Sequence, residues 1–306
     1  MGALKTALFK RVAVIGLGLI GSSLTRAIAA EGLADEVVGF DASPEVRRLA
    51  AALPDFGASI ADSLESVLDG ADLVIMAVPV GAMEGLAALV APQLKAGAIL
   101  SDVGSVKGRI IEAVVPLLPE GVYFVPGHPV AGTEFSGPEA GFASLFAGRW
   151  CIITPVEGTP SEVVARVVQF WERLGSSVEE MSAEHHDIVL AITSHIPHLI
   201  AYNIVGTAAD LEEVTSSEVI KYSAGGFRDF TRIAASDPVM WRDVFMNNKE
   251  AVLEMLGRFT EDLTQLQRHI RRGDEQALED LFTRTRAIRR SIVEAGQETE
   301  KPDFGR

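Results

Sequence analysis

Apolar and polar residues alternate over the first 180 residues in a way that predicts strands and helices in turn. Short apolar runs are typical of buried parallel strands, and the longer amphipathic stretches between them are typical of helices. This alternation predicts an α/β fold with a Rossmann-type, doubly wound parallel sheet. The strand-like runs lie near residues 11–15, 36–40, 72–79, 97–102, 123–126 and 150–155, and helical patterns near 63–69, 81–94 and 160–174.

From Ser182 onward the pattern is almost entirely helical, with long helices expected near 182–209, 243–271 and 274–295. We therefore predict a nucleotide-binding domain over residues 10–180, an all-helical domain for substrate and dimerisation over 181–296, and a polar tail over 297–306. Residues 188–209 are apolar enough to suggest a membrane span. They include His195, Pro197 and His198, which would be costly in a bilayer, so a buried helix that lines a site is expected instead.

A glycine motif follows the first strand directly. Residues 16–21 read G-x-G-x-x-G between a strand-like run and a helical pattern, which is the context of a dinucleotide-binding turn. The first glycine permits the turn, the second lets the backbone approach a pyrophosphate, and the third lets helix and strand pack closely. The free N–H groups of the helix then face the phosphates. The predicted cofactor-binding residues here are Gly16, Gly18, Leu19, Ile20 and Gly21.

Asp41 ends the second predicted strand, about twenty residues after the last glycine of the motif. A carboxylate there binds ribose hydroxyls and repels a 2′-phosphate, which favours NAD over NADP. Arg47 and Arg48 follow closely and weaken that preference. The alternative is that Asp41 caps the next helix, beside Ser43.

Two later strand ends are expected to face the same cofactor, because ligands of doubly wound sheets bind at the carboxyl ends of the strands. One carries Val78 and Pro79, and the other leads to Ser105 and Lys107. Ser105 is expected to be a helix N-cap, a substrate contact or both. Lys107 is expected to be a surface or structural residue.

Residues 127–137 form a short glycine-rich stretch between the two predicted domains, where small-molecule sites are often placed. The stretch includes His128 and Glu134. We predict that His128, at the end of a strand, handles a substrate proton.

The helical half contains two further polar groups of residues. Ser194, His195 and His198 lie mid-helix around Pro197, and the two histidines share a face; they either line a site or are satisfied core residues. No metal site is expected, since the spacing lacks a third ligand and residues 185–187 look like an exposed helix start.

The second group lies in residues 223–234, where Arg228 and Arg232 share a helix face. Arginine binds carboxylates in a bidentate manner, so one of the pair is a candidate anion site and the other a surface ion pair.

Composition limits the classes of partner. The formal net charge is −15, which argues against nucleic acid and against an anionic membrane surface. The single cysteine, Cys151, lies in a predicted buried strand, excludes an intrachain disulfide and fits a cytoplasmic protein.

Taken together, the motifs over residues 10–295 resemble the prephenate/arogenate dehydrogenase family of tyrosine biosynthesis. The matching stretches are residues 14–23 (VIGLGLIGSS), 102–107 (DVGSVK), 127–134 (GHPVAGTE), 194–198 (SHIPH) and 226–234 (GFRDFTRIA). The resemblance implies oxidative decarboxylation of a cyclohexadienol substrate with NAD. The long apolar helices of the second half favour a homodimer.

The resemblance also implies residue roles. His128 would take the proton of the ring hydroxyl as hydride leaves, and Ser105 would hold that hydroxyl or the histidine. Arg232 would bind a substrate carboxylate, while His198, Glu134 and Ser194 would contact the side-chain end of the substrate.

Alternatives stay open at this point. The substrate is prephenate, arogenate or both. A two-domain hydroxyacid dehydrogenase would need a catalytic lysine, for which Lys221 and Lys249 are the nearby candidates. A non-catalytic NAD sensor is a third class.

Overall fold

The computed structural model describes residues 6–133, 135–215 and 225–294. The chain divides into two compact units, Met1–Val252 and Leu253–Arg306. The first unit contains the sheet, the glycine motif and the residues discussed below. The predicted division by role, at residues 180 and 181, stays a prediction.

A six-stranded, all-parallel sheet forms the centre of the first unit, and a helix or helical turn follows each of its first five strands. The strand order is β3-β2-β1-β4-β5-β6, which is a doubly wound order, so the predicted Rossmann-type fold is confirmed. The strands are β1 (Phe9–Ile15), β2 (Ala34–Phe40), β3 (Ser59–Ile60), β4 (Leu73–Met76), β5 (Ile99–Asp102) and β6 (Tyr123–Phe124). The helices are α1 (Leu19–Glu31), α2 (Pro44–Ala52), α3 (Leu64–Leu68), α4 (Met83–Val90) and α5 (Gly108–Val114).

Both faces of the central strands are buried, which explains their continuous apolar sequences. In β4 all four residues, Leu73–Met76, are buried, and alternate side chains enter two separate cores. Val12, Val14 and Leu24 pack in the core on the side of α1, while Val74, Met76 and Val90 pack in the core on the side of α4.

A second, smaller sheet was not predicted as a separate element. It has the order β7-β8-β9, with β7 (Gly127–Pro129) antiparallel to β8 (Trp150–Ile153) and β8 parallel to β9 (Ser177–Glu180). Helix α6 (Ser161–Arg173) connects β8 to β9 and buries Val167, Phe170 and Trp171. His128 therefore lies inside a strand of this sheet, not at the end of a strand of the parallel sheet as predicted.

The helical part begins with α7 (Ala183–Leu190), which continues through a π-helical turn, Ala191–His195, into α8 (Ile196–Thr215). The next elements are α9 (Gly225–Thr231), a 3-10 turn at Arg232–Ala235, α10 (Pro238–Asn247) and α11 (Lys249–Arg272). The predicted helix over 243–271 is thus interrupted at Asn248. The second unit contains most of α11 together with α12 (Glu275–Glu294).

The stretch Ala183–Asp210 is long and apolar enough to cross a membrane by length and composition. Only 28% of its most apolar window is buried within the chain. The expectation of a buried helix therefore holds for only one face of α7 and the π-helical turn, which buries His186, Leu190 and His195. The apolar residues Ile188, Ile192, Ile204 and Val205 are exposed. An exposed apolar face of this kind on a helix is a surface that another protein chain can cover.

Candidate active site

The turn between β1 and α1 depends on two of its three glycines. Gly16 has φ +96°, a conformation that favours glycine, and a Cβ atom on it would overlap the backbone carbonyl of Ala77. A Cβ atom on Gly21 would overlap the carbonyl oxygen of Gly16, so the helix could not begin so close to the strand. The sequence thus folds into a tight turn directly beside the end of β4.

The middle glycine of the turn faces open space. A Cβ atom on Gly18 would meet nothing within 4 Å, although Gly18 is the N-cap of α1 and makes no side-chain capping bond. The N-terminus of α1 therefore presents backbone N–H groups and the positive end of its dipole to an unfilled space. This arrangement fits the pyrophosphate of a dinucleotide.

Asp41 lies at the end of β2, beside this turn. Its carboxylate accepts hydrogen bonds from the backbone N–H of Leu17 (2.9 Å) and of Ser43 (2.9 Å). Ser43, not Asp41, caps α2 by accepting from the N–H of Val46, so the helix-cap alternative for Asp41 is wrong. Arg47 donates to the backbone oxygen of Asp41 and lies over the ring of Phe40.

His128 is held in β7 opposite Ile152 and is only 7% exposed. Burial lowers the pKa of His128 well below the ordinary histidine value of 6.5, and the nearby imidazole of His186 and ammonium of Lys107 lower it further. The imidazole is therefore neutral at pH 7 and able to accept a proton.

His128 is hydrogen-bonded to a second buried histidine, His186. Its Nδ1 atom lies 2.8 Å from Nε2 of His186, and Nδ1 of His186 lies 2.8 Å from Oδ1 of Asp187. The sequence interpretation of residues 185–187 as an exposed helix start is wrong for two of the three, because His186 is 0% and Asp187 9% exposed. Of these three residues, His185 alone lies on the exposed face of α7.

The Asp187 carboxylate also holds the start of α5. It accepts hydrogen bonds from the backbone N–H groups of Lys107 and Gly108, both at 2.8 Å. The N-cap residue of α5 is Lys107, without a side-chain capping bond of its own. The prediction that Ser105 caps this helix is therefore wrong, and its half-buried side chain lies in the loop after β5.

Lys107 is fully buried, so the surface alternative predicted for it is wrong. Its ammonium donates to the carboxylate of Asp102 (2.5 Å) and to the backbone oxygen of Gly127 (2.7 Å), next to His128. Burial lowers the pKa of Lys107 and raises the pKa of Asp102, and the attraction between the two groups opposes both shifts. The pair ties the end of β5 to the strand that carries His128.

The π-helical turn ends at His195, just before Pro197. A proline has no N–H and its ring disturbs the preceding helical turn, which accounts for the irregular hydrogen bonding here. The side-chain amide of Asn248 donates to the backbone oxygen of Asp187 (2.8 Å) and to Nδ1 of His195 (3.1 Å). His195 is completely buried, and burial lowers its pKa to about 4.

His198 and its surroundings form the other end of the candidate site. The ring of His198 stacks on Trp241 with 3.6 Å between centroids, and its Nδ1 donates to the carbonyl of Ser194 (2.8 Å). Burial lowers the pKa of His198, and the charge of Arg232 lies near enough to lower it further. Tyr202 donates to the backbone oxygen of Ser236 and holds this turn against α8.

Two models of one protein family match most of the chain. The model of the prephenate dehydrogenase nucleotide-binding domain matches residues 24–180, and that of the prephenate dehydrogenase dimerization domain matches residues 182–284.

The chain belongs to the prephenate dehydrogenase family.

Two curated relatives of this prephenate dehydrogenase family member cover most of its length. The cyclohexadienyl dehydrogenase of Zymomonas mobilis is 43% identical over 284 residues, which is 93% of this chain and 96% of that protein. The prephenate dehydrogenase of Bacillus subtilis is 32% identical over 268 residues, or 87% of this chain and 72% of that protein.

Solved structures agree with the family assignment. Prephenate dehydrogenase from A. aeolicus, in complex with hydroxyphenyl propionate and NAD+, superposes with a TM-score of 0.86 at 34% identity and covers 95% of this chain and 100% of its own. Synechocystis arogenate dehydrogenase gives a TM-score of 0.78 at 25% identity and covers 92% and 99%.

Several predicted residues of this family member have distinct positions in the structure. Arg228 and Arg232 are both exposed, and Arg228 lies within 3.7 Å of the carboxylate of Asp229. Arg232 lies near His198. Val78 lies beside Gly16, and Pro79 follows it in the loop after β4. Glu134 and Lys221 lie outside the described residues.

Cys151 is buried in β8, and burial raises the pKa of its thiol, which keeps it protonated and unreactive. Among the described residues, no group of three or more His, Cys, Asp or Glu side chains is arranged to hold a metal ion.

Four residues of the site were not predicted: His186, Asp187, Asn248 and Trp241. A signal for the first two existed in the sequence. His186 and Asp187 precede the buried Leu190 and Ala191 by four residues each, so they share their helix face.

Proposed function

We propose that the chain catalyses the NAD-dependent oxidative decarboxylation of prephenate to 4-hydroxyphenylpyruvate, a step of tyrosine biosynthesis. The observation that carries this proposal is His128. It is a buried, neutral imidazole close to the strand ends of a dinucleotide-binding fold, in a member of the prephenate dehydrogenase family. An imidazole in that state suits the removal of a hydroxyl proton.

The cofactor would be held by the turn after β1 and by the neighbouring strand ends. The proposed contacts are Gly16, Gly18, Leu19, Ile20 and Gly21 at the pyrophosphate, Asp41 at the ribose, and Val78 with Pro79 beside them. NAD, when bound, supplies the acceptor for hydride from the ring carbon that bears the hydroxyl. The carboxylate of Asp41, beside the turn, supports NAD over NADP.

The chain's own residues would position the substrate and move one proton. His128 takes the proton of the ring hydroxyl, and its low pKa keeps it available as a base at neutral pH. Ser105, which does not cap α5, would hydrogen-bond that hydroxyl or the histidine. Loss of the ring carboxylate as carbon dioxide makes the ring aromatic and drives the reaction forward, so the enzyme chiefly orients the reacting groups.

The opposite end of the substrate is assigned to the helical part. Arg232 would bind the ring carboxylate through its guanidinium, since arginine matches the geometry of a carboxylate. His198 and Ser194 would contact the side-chain end, where the Nδ1–H of His198 is already used by a backbone carbonyl and its Nε2 remains for the ligand. Glu134 is proposed for the same end by family resemblance.

The proposed assembly is a homodimer in the cytoplasm. Support comes from the match to a dimerization domain and from the exposed apolar residues of α8, Ile204 and Val205. A single chain cannot bury these side chains, and a second copy can.

A second candidate substrate is arogenate, alone or together with prephenate. The observation that favours it is the 43% identity to a cyclohexadienyl dehydrogenase, supported by the resemblance to an arogenate dehydrogenase structure. The two substrates differ only by a keto or an amino group on the side chain.

The test is the rate of reduced cofactor formation with prephenate and arogenate, each with NAD and NADP. We expect NADH formation with prephenate and NAD, and a lower kcat/KM with NADP. Absence of cofactor reduction with both substrates would refute the proposal, whereas activity with arogenate alone would select the second candidate.

A further inference from the structure

His128, the proposed base, is the first member of a hydrogen-bonded chain that continues through His186 to Asp187. Its three side chains come from two elements, β7 and α7, and the first two are almost completely buried. Side chains that orient a catalytic base commonly contact it on the ring nitrogen opposite the reacting one.

The positions of the hydrogens along this hydrogen-bonded chain follow from its last residue, Asp187. Asp187 faces three N–H donors: the backbone amides of Lys107 and Gly108, and Nδ1 of His186 at 2.8 Å. An ionised carboxylate only accepts hydrogen bonds, so the hydrogen of neutral His186 must be on Nδ1. Its Nε2 then has a lone pair and accepts the hydrogen bond from Nδ1 of His128.

This order leaves one tautomer for His128, with the hydrogen on Nδ1 and a lone pair on Nε2. We infer that His186 and Asp187 are positioning residues that fix His128 in this tautomer, so that Nε2 is the atom that accepts the substrate proton. Once Nε2 has taken the proton, the imidazolium still donates through Nδ1 to His186, and the Asp187 carboxylate stabilises the new charge through the neutral ring between them. No second proton transfer is needed.

Asp187 connects this alignment to the rest of the site. The same carboxylate holds the first two N–H groups of α5, directly after the loop that contains Ser105. The backbone oxygen of Asp187 in turn accepts a hydrogen bond from the side-chain amide of Asn248, the residue that follows α10. This bond ties α7 to the end of α10. His128 and Ser105 are therefore placed relative to each other through one side chain.

The charged and titratable groups around His186 are few. Asp187 and His128 are its hydrogen-bond partners, and Lys107, Asp102 and His195 lie near it in the buried region. The ammonium of Lys107 is engaged by Asp102 and by the backbone of Gly127, so it does not compete for Nε2 of His186.

The inference rests on the proposed role of His128, so its test uses two separate readouts. The first is the tautomer, measured by ¹⁵N NMR of the full-length protein with labelled histidine and saturating NAD; the sequence has only 6 histidines. For wild type we expect a protonated Nδ1 and an unprotonated Nε2 on both His128 and His186. The opposite tautomer on His128 would overturn the inference, whatever the activity.

The second readout is kinetic. His186→Leu removes the acceptor and is expected to lower kcat about 100-fold, the lower range for loss of general-base catalysis, with KM within about threefold. In His186→Gln the side-chain oxygen can accept the hydrogen bond from Nδ1 of His128. We therefore expect its kcat to be about tenfold higher than that of His186→Leu. The matched control is His185→Leu, on the exposed face of the same helix, with kcat as in wild type.

The outcomes separate the two proposals. If wild type reduces NAD with prephenate and His186→Leu retains wild-type kcat, the positioning role is wrong and the proposed function stands. Equal losses in the Leu and Gln variants would indicate a packing role only and would also overturn the inference. If wild type itself is inactive with both substrates, the proposed function fails, and the NMR result alone decides the tautomer.

If His186→Leu fails to fold, the comparison of His186→Gln with wild type still tests the inference. A Gln variant in which the hydrogen of His128 stays on Nδ1 supports the inference, and one with an unchanged kcat but the opposite tautomer refutes it.

Discussion

At the scale of single residues, the proposed chemistry depends on one imidazole that burial keeps neutral. His128 has its pKa lowered first by burial and then by positive or potentially positive neighbours. A general base is most useful when it is unprotonated at the working pH and still basic enough to accept a proton. The strand β7 holds the imidazole, and α7 supplies the group that contacts it from behind.

Replacement of His128 by Asn is expected to lower kcat by about 10²- to 10⁴-fold, the usual contribution of a general base. Asn keeps a polar side chain that can still hydrogen-bond the hydroxyl, so substrate affinity should remain within a few-fold. Steady-state kinetics together with equilibrium titration of prephenate into the NAD complex measure both quantities. A variant that retains wild-type kcat would exclude His128 as the base.

The sequence was enough to place residues whose position depends on the local backbone. It was not enough for residues whose position depends on the packing of two elements. Asp41 directly follows its strand, and Gly16 takes the positive φ that its turn requires. His186 and Lys107 were misplaced because their burial depends on α7 packing against β7 and α5. Polar side chains at the start of a helix are usually solvated, and only tertiary contacts reveal the exception.

At the scale of elements, the glycines of the turn between β1 and α1 have different structural roles. Gly21 permits the close packing of helix on strand, while Gly18 faces open space and permits the approach of a ligand. The two functions lead to different consequences for substitution.

Gly18→Ala is expected to fold with a Tm close to that of wild type, because its Cβ meets no protein atom. The added methyl group would occupy the space of the pyrophosphate, so we expect NAD affinity to fall by about tenfold or more, equivalent to at least ~1.4 kcal/mol. Calorimetric titration of NAD and thermal unfolding measure the two effects.

Gly85→Ala is the matched control, since Gly85 lies in α4 with open space around its added Cβ. It should leave NAD affinity unchanged and raise stability by up to about 1 kcal/mol through helix propensity. Equal NAD affinity in Gly18→Ala and wild type would contradict the assignment of this turn to the cofactor.

The order of strands and helices was predictable because each parallel strand is a continuous apolar run between turns. The second sheet was not, since β7 and β9 have three and four residues and little apolar pattern. The break at Asn248 escaped prediction for another reason. Its side chain is used for hydrogen bonds to Asp187 and His195, which are distant in sequence.

At the scale of the whole molecule, the structure places several neutral histidines in its interior. His128, His186, His195 and His198 all have pKa values lowered by burial. Below about pH 6.5 the unfolded chain binds protons at these positions and the folded chain does not, so folding becomes less favourable.

The free energy of unfolding is therefore expected to be highest above about pH 6.5 and to fall as the pH drops toward the folded-state pKa values of these histidines. Each histidine contributes a slope of up to ~1.4 kcal/mol per pH unit. For His195 this window extends down to about pH 4. Urea unfolding at a series of pH values checks the slope. A flat profile between pH 7 and about pH 5 would show that these histidines are not buried in neutral form.

The central claim is that this chain oxidises prephenate with NAD and releases its ring carboxylate. The most direct test follows NADH, carbon dioxide and 4-hydroxyphenylpyruvate together in one reaction of the purified protein with prephenate and NAD. The account predicts that the three products appear in equal amounts and that His128→Asn suppresses all three alike. Failure to form NADH, or NADH formation without carbon dioxide and the aromatic product, would contradict it.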